Sequence, residues 1–334
     1  MAPGTATQER VRTIEAACAL FPEIEIAVIL PCYNEEAAIG AVVRSFRKEL
    51  PSARIYVYDN NSKDRTSQVA AEAGAIVRSE TLQGKGNVVR RMFADIEADV
   101  YLMCDGDITY DAPSAPALIR KLLEDNLDMV VGCRIDSEQA SYRAGHRFGN
   151  ALFTGSVASL FGNRFTDILS GYRAFSRRYV KSFPALSNGF EIETELTVHA
   201  LELRMPIGEL DTPYGARMEG SQSKLSTYRD GFRILMMITK LFKSERPLAF
   251  FSIIFALLTL AAVGLSIPLL LTYIETGLVP RLPTAVLAAS IMLLAFLSLT
   301  CGLILDTVTH GRREMKRLAY LTVPAVGAVL ERRS

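Results

Sequence analysis

The sequence predicts an α/β domain built on a mostly parallel sheet, followed by an amphipathic helix and two membrane-spanning helices. Three observations predict it. Short apolar runs alternate with helical periodicity across about 110 residues. Polar clusters fall where these runs end, the edge at which open parallel sheets bind their ligands. The segments 247–273 and 282–305 hold no charged residue, in a chain that is 49% hydrophobic and carries its charges almost entirely elsewhere.

Taken in order, residues 1–24 read as a polar leader with one helix over 7–20. Its spread of charges and lack of an apolar core are not the pattern of a secretory signal. Ile26-Ala-Val-Ile-Leu30, ending at Pro31, is a continuous apolar run of the kind buried on both faces of a parallel sheet. Over 35–50, Ile39, Val42, Val43 and Phe46 share one helical face. A second strand over 54–58 runs into Asp59-Asn-Asn-Ser-Lys-Asp64, rich in turn and capping residues. Strands over 75–77, 100–104 and 129–132 repeat the theme, each after a helix, and further helices are expected over 143–161 and 190–203. Over 228–243, Phe232, Leu235, Met236, Ile238, Leu241 and Phe242 alternate with Arg229, Arg233, Lys240 and Lys243. Because this stretch runs straight into an apolar segment, it is expected to lie in the membrane interface.

Both charge-free segments exceed the roughly 20 residues that span a bilayer. A buried soluble hairpin would need protein to cover it, and the rest of the sequence is committed to the α/β domain. The organisation expected is therefore a leader (1–24), an α/β domain (25–227), an interfacial helix (228–246), a transmembrane hairpin (247–305) and a basic tail (306–334). The connector 274–281 carries one Glu and one Arg, whereas Arg229, Arg233, Lys240, Lys243 and Arg246 precede the pair and Arg312, Arg313, Lys316 and Arg317 follow it. The positive-inside rule then places the α/β domain and both termini in the cytoplasm, as in a multi-pass protein of the inner membrane. Small residues (Ala261, Ala262, Gly264; Ala288, Ala289, Ser290) permit close packing within the chain or in a homo-oligomer.

Composition narrows the function. Lys plus Arg number 37 against 36 Asp plus Glu, so there is no basic surplus to hold nucleic acid. Five cysteines without a C-x-x-C pair, and three histidines, fit neither a disulfide scaffold nor a zinc site. The chemistry centres on Val100-Tyr-Leu-Met-Cys-Asp105-Gly-Asp107, where a buried strand delivers two carboxylates. Such a pair would divide the work, one carboxylate binding a metal directly and the other acting through water or ribose. Carboxylates with few other ligands suit Mg2+ or Mn2+, with substrate phosphates completing the octahedron. An acidic pair at a strand end can equally be a solvated cap. Three companions favour a site: Pro31-Cys-Tyr-Asn-Glu35, Tyr58 to Thr66 with Asp59 at the strand end, and Leu82-Gln-Gly84-Lys85-Gly86-Asn87. The last lacks Walker spacing, but offers backbone amides and one cation at a helix start.

Together P-C-Y-N-E, D-N-N-S-x-D-x-T, G-K-G-N and D-G-D, in that order, resemble a family 2 glycosyltransferase of the GT-A fold, with its Rossmann-like, mostly parallel sheet. Residues 25–245 are similar to the subgroup of polyprenyl-phosphate and dolichyl-phosphate sugar synthases. Ser170-Gly-Tyr-Arg-Ala-Phe175, Arg217-x-x-Gly220-x-x-Ser223-Lys224-Leu225 and the two following helices match that subgroup as well. One departure is Asn60-Asn61, where the family more often has Asp-Gly. The resemblance implies that Pro31, Tyr33, Glu35 and Asp59 hold the base and ribose of a nucleotide-sugar donor. It also implies that Asp105 and Asp107 bind ribose, metal and diphosphate, and that Lys85, Arg217 and Lys224 meet the phosphates. The acceptor would be polyprenyl phosphate at the lipid bilayer, its phosphate met by Arg134 and Arg147, with Arg143 and Arg173 as further candidates. Arg134 and Arg147 would count with the two aspartates as catalytic. Glu191 and Glu193 occupy family acidic positions and would orient arginines or move a proton, while Asp167 reads as structural. The product would be a polyprenyl-phosphate sugar for cell-envelope glycan or lipopolysaccharide modification. A different lipid acceptor, or a silent nucleotide-sugar binder, remains the alternative.

Overall fold

A computed structural model describes residues 24–136, 166–189, 191–215, 236 and 238–333. They group into two compact units, one of residues 1–227 with 316–334 and one of residues 228–315.

In the first unit the apolar runs become strands β1 (Ile26–Cys32), β2 (Arg54–Asp59), β3 (Ile76–Ser79), β4 (Val100–Met103) and β5 (Met129–Asp136). Helices α1 (Glu36–Glu49), α2 (Thr66–Glu72), α3 (Lys85–Asp95) and α4 (Ala115–Glu124) connect them. Two strands were not expected from the sequence, β6 (Arg173–Ser176) and β7 (Ile207–Tyr214), and helices α5 (Arg177–Ser182) and α6 (Ile192–Glu202) lie between them. The sheet order is β3-β2-β1-β4-β6-β5-β7, with β6 antiparallel to both its neighbours. β5 outruns its expected end because it pairs with β7 along its whole length, from Met129 opposite Ile207 to Asp136 opposite Tyr214. The core lies between the sheet and its helices. Val28, Leu30, Val57 and Leu102 pack there against Ile39, Val43, Phe46 and Leu118, and the Phe46 and Tyr172 rings meet edge to face at 6.3 Å.

The second unit holds a helix over 238–245, α7 (Pro247–Thr276) and most of α8 (Leu282–Leu321). Two helical spans are long and apolar enough to cross a membrane, with mean hydropathy 2.5 and 2.3. Only 6% and 17% of their apolar windows are buried, whereas a soluble core helix would be mostly covered. The hairpin closes on small residues: Ala262, Ala288 and Ala295 are buried. Ser298 Oγ donates to the Phe251 carbonyl at 3.2 Å, and the Phe255 and Phe296 rings lie 5.6 Å apart. At its base Glu245 accepts from Arg312 at 2.8 Å and Arg313 at 3.3 Å.

Residues 306–334, read from sequence as a basic tail, continue α8 to Leu321 and then form α9 (Val326–Arg333). From Lys316 onward they belong with the sheet unit. Lys316 pairs with Glu202 at 2.7 Å, Arg317 donates to the Leu203 carbonyl at 2.8 Å, and Tyr320 OH donates to Asp128 at 2.8 Å. Asp128 is 1% exposed and also accepts from Ser176 and Arg178.

Candidate active site

The carboxyl ends of β1 and β2 are level, with Cys32 opposite Asp59, so Pro31, Tyr33, Glu35 and Asp59 gather on one rim. The loop around them is cross-tied. The Asn34 amide donates to Ser62 Oγ at 2.9 Å, the Glu35 amide to Thr66 Oγ1 at 2.8 Å, and the Lys63 amide to Asn34 Oδ1 at 2.8 Å. Asp59 accepts from the Ser62 amide at 3.1 Å and from Ser67 Oγ at 2.9 Å, which aims its carboxylate. Asp64, one residue ahead of the N-cap Arg65, steadies the start of α2 by accepting from the Thr66 amide at 3.0 Å.

β4 delivers Asp105-Gly-Asp107 beside this loop. Gly106 lies against the Cys32 thiol, where an added Cβ would sit 2.4 Å from the sulfur. Burial, and then the charges of Glu35, Asp105, Asp59 and Asp107, push the Cys32 thiol well above the ordinary thiol range. The four carboxylates singled out in the sequence thus lie around Cys32, at the neighbouring carboxyl ends of β1, β2 and β4. Asp107 accepts from Thr109 Oγ1, and Asp105 accepts from Lys85 Nζ.

Lys85 opens α3 and is held by both Asp105 and Glu193, the latter at 2.6 Å. Burial alone would lower the ammonium pKa; the two carboxylates outweigh it and raise the value, so Lys85 stays charged. The glycines flanking it make room for another part of the chain. A Cβ on Gly84 would lie 2.1 Å from the Asn188 carbonyl oxygen, and one on Gly86 2.0 Å from that of Ser187. Their space is taken by backbone, which Glu195 holds by accepting from the Leu186 and Ser187 amides at 2.9 and 2.8 Å. Asn60, the departure from the family pattern, is buried and braces the same loop. Its amide donates to the Glu80 and Leu82 carbonyls, and its oxygen accepts from the Gly84 amide at 2.6 Å. Asn61 adopts φ 62°, a left-handed turn that Asn accommodates in place of Gly.

Across the rim, Arg134 on β5 is clamped by Asp167 through Nε at 2.7 Å and a terminal nitrogen at 2.8 Å. Its guanidinium stands over the Tyr214 ring at 5.5 Å. Asp167, which reads as structural in the sequence, fixes the Arg134 guanidinium in place. The chain leaving Asp107 reaches this side directly. The Gly215 amide donates to the Thr109 carbonyl at 2.9 Å, and the Tyr110 ring lies 5.3 Å from Tyr214 and 5.5 Å from Tyr172. Neither Thr109 nor Tyr110 stands out in the sequence. Gly171 donates to Tyr110 OH at 2.9 Å and passes so close to Asp105 that a Cβ would lie 2.7 Å from Oδ2.

Arg173 does not join the acceptor side. It is fully buried, donating to the Ser170 carbonyl at 2.9 Å, to Thr197 Oγ1 at 2.9 Å and to the Ile168 carbonyl at 2.5 Å. Its charge is spent bracing the core, so the expectation that it meets a phosphate is corrected. Arg143, Arg147, Arg217, Lys224 and the helix expected over 143–161 lie outside the described residues.

A divalent ion fits the donor set. Among the described residues no three metal-ligating side chains form a ready cage, but Asp105 and Asp107 offer hard oxygen ligands just beyond the end of β4. Mg2+ and Mn2+ take such pairs and complete their shells with water and substrate oxygens.

The match to known proteins agrees with this geometry. Residues 27–183 match the model of Glycosyl transferase family 2. Glycosyltransferase AglJ of Haloferax volcanii is 32% identical over 299 residues, 89% of this chain and 98% of that protein. A dolichyl-phosphate hexose transferase of the same organism is 28% identical over 222 residues, 66% of this chain and 96% of that one. Glucosyl-3-phosphoglycerate synthase of Mycobacterium tuberculosis, crystallised with Mn2+, UDP-glucose and phosphoglyceric acid, superposes with a TM-score of 0.56 at 24% identity. That superposition covers 73% of this chain and 85% of the synthase, and shows a shared GT-A fold. With the motifs gathered on one rim of that fold and a relative matched over nearly its whole length, this chain belongs to glycosyltransferase family 2.

Proposed function

We propose that the chain transfers a sugar from a UDP-sugar to polyprenyl phosphate, with inversion, at the cytoplasmic face of the inner membrane. The observation that carries this reading is the single rim on which Glu35, Asp59, Asp105, Asp107 and Lys85 converge, with Arg134 aimed from its far side. The relative named as a dolichyl-phosphate hexose transferase supports a lipid-phosphate acceptor, and the apolar hairpin supports a membrane-embedded one. The UDP-glucose and Mn2+ of the structurally similar synthase guide the choice of donor and ion.

In this reading Pro31, Tyr33, Glu35 and Asp59 hold the base and ribose, and Asp105 completes the ribose contact. Lys85, with Arg217 and Lys224, would meet the diphosphate, while Arg134 and Arg147, with Arg143 as a further candidate, would hold the acceptor phosphate. An acceptor oxygen attacks the anomeric carbon, and the bond to the diphosphate oxygen breaks with its electron pair leaving on the nucleotide. A phosphate monoester is already anionic at neutral pH, so the attack needs no strong base. The cationic side chains take up the charge that develops on the leaving group. Asp105 and Asp107 would hold Mg2+ or Mn2+, which supplies Lewis-acid neutralisation of the diphosphate when bound.

The test is transfer in detergent from a panel of radiolabelled UDP- and GDP-sugars to polyprenyl phosphate, with Mn2+ or Mg2+ and then with chelator. The expected result is organic-phase label from one donor, lost on chelation and in Asp107→Asn. A folded, nucleotide-binding protein that labels no lipid from any donor would overturn the acceptor assignment and favour another lipid or a silent binder.

A further inference from the structure

Lys85 stands between two unequal acids. The Asp105 side chain is 30% exposed and opens onto the donor rim, whereas those of Glu193 and Lys85 are 8% and 9% exposed. Glu193 sits in the first turn of α6, where the helix dipole favours its charge. Its helix is tied to the loop before Lys85, because Glu195 holds the 186–187 amides and the backbone of residues 187–188 fills the space over Gly86 and Gly84.

An ammonium has three N–H donors, and the two carboxylates engage it here. On the donor-site reading, Asp105 must also serve ribose, ion or diphosphate. A buried lysine whose compensating acid is withdrawn would resist that withdrawal, because an uncompensated buried charge is strongly disfavoured. Glu193 removes the conflict. It keeps the ammonium compensated when Asp105 turns to the ligand, and leaves the freed N–H to point at the incoming phosphate.

We propose that Glu193 is a positioning residue for the donor, anchoring Lys85 so that Asp105 can exchange the ammonium for the metal-bound nucleotide. This rests on the donor-site reading above. It also assigns Glu193 a partner different from the arginines that its sequence context implied.

The test measures Mn2+ and UDP affinity of the full chain in detergent, by calorimetry and by Mn2+ paramagnetic resonance. In Glu193→Gln the ammonium falls back on Asp105, so Mn2+ affinity in the presence of UDP should drop about tenfold, the scale of one charge-assisted hydrogen bond. In Lys85→Gln/Glu193→Gln no ammonium competes for Asp105. Mn2+ affinity should then return to within about threefold of Lys85→Gln alone, while UDP affinity stays low. Unchanged Mn2+ and UDP affinity in Glu193→Gln would overturn the inference. So would a double variant as weak for Mn2+ as Glu193→Gln, since Glu193 would then act without Lys85. A wild-type chain that binds neither UDP nor Mn2+ would overturn the donor-site reading itself.

Discussion

Replacing Asp167 by Asn tests whether Arg134 is an aimed acceptor group or a structural ion pair. The pair is largely enclosed, with side chains 17% and 11% exposed, so solvent screens it only partly. Two bonds, at 2.7 and 2.8 Å, join them. Asn keeps the shape and one acceptor oxygen, so the loss is about one charge-assisted bond, roughly 1.5–3 kcal/mol. Residual exposure and the Tyr214 ring beneath the guanidinium put the effect at the lower end, about 1.5 kcal/mol, or roughly tenfold. If Arg134 receives the acceptor phosphate, that tenfold appears in the KM for polyprenyl phosphate, because the guanidinium is still charged but no longer aimed. The Kd for UDP, measured by calorimetry, should stay within about twofold of wild type on the same argument. Equal losses in donor and acceptor binding, or an unchanged acceptor KM in a protein with lowered stability, would refute the assignment and leave Arg134 a structural strut.

Three further outcomes follow from the packing. Gly171→Ala drives a methyl to 2.7 Å from Asp105 Oδ2, and displacing that carboxylate by about 1 Å should cost about a hundredfold in kcat while the protein still unfolds cooperatively on heating. Asp128→Asn removes the charge shared by Arg178, Ser176 and Tyr320 in a site 1% exposed. It should lower stability by about 3–5 kcal/mol in thermal or denaturant unfolding, against about 1 kcal/mol for Tyr320→Phe. His199 is 1% exposed, and burial followed by the Lys316 charge depresses its pKa from 6.5 to about 3. The folded state thus favours neutral His199. Its contribution is whole above pH 6.5 and falls as the unfolded chain takes up a proton below that, until the folded imidazole itself titrates near pH 3. Between pH 6.5 and 5 the loss is about 2 kcal/mol, and the melting temperature of His199→Gln should fall less steeply over that interval.

The parts of the fold legible in the sequence are those whose stabilisation is local and apolar. β1, β2 and β4 are continuous hydrophobic runs, and the hairpin helices are free of charge, so periodicity and composition suffice to place them. β6 was hidden because it begins with Arg173, a residue that reads as exposed until its acceptors on Ser170, Ile168 and Thr197 are seen around it. β7 carries Glu209, Asp211 and Pro213, which suits an edge strand and spoils any apolar pattern. In the site the acids were legible, since each ends a recognisable strand. Their partners were not. Lys85 and Glu193 are 108 residues apart, and the glycines beside Lys85 reveal their purpose only once residues 187–188 arrive over them. Asn60 departs from the family pattern, and four hydrogen bonds make it the brace of that loop.

The attachment of residues 316–333 to the sheet unit has a bearing on how the protein is made. The ribosome emits the whole α/β portion, then both apolar helices, and only afterwards the Lys316, Arg317 and Tyr320 that engage Glu202, Leu203 and Asp128. The α/β unit is therefore finished last, after both apolar helices have been synthesised. Excising it at residue 246 to obtain a soluble enzyme would strip a cation from one buried acid and a hydroxyl from another. The co-translational order instead makes completion of the enzyme conditional on the apolar hairpin having emerged.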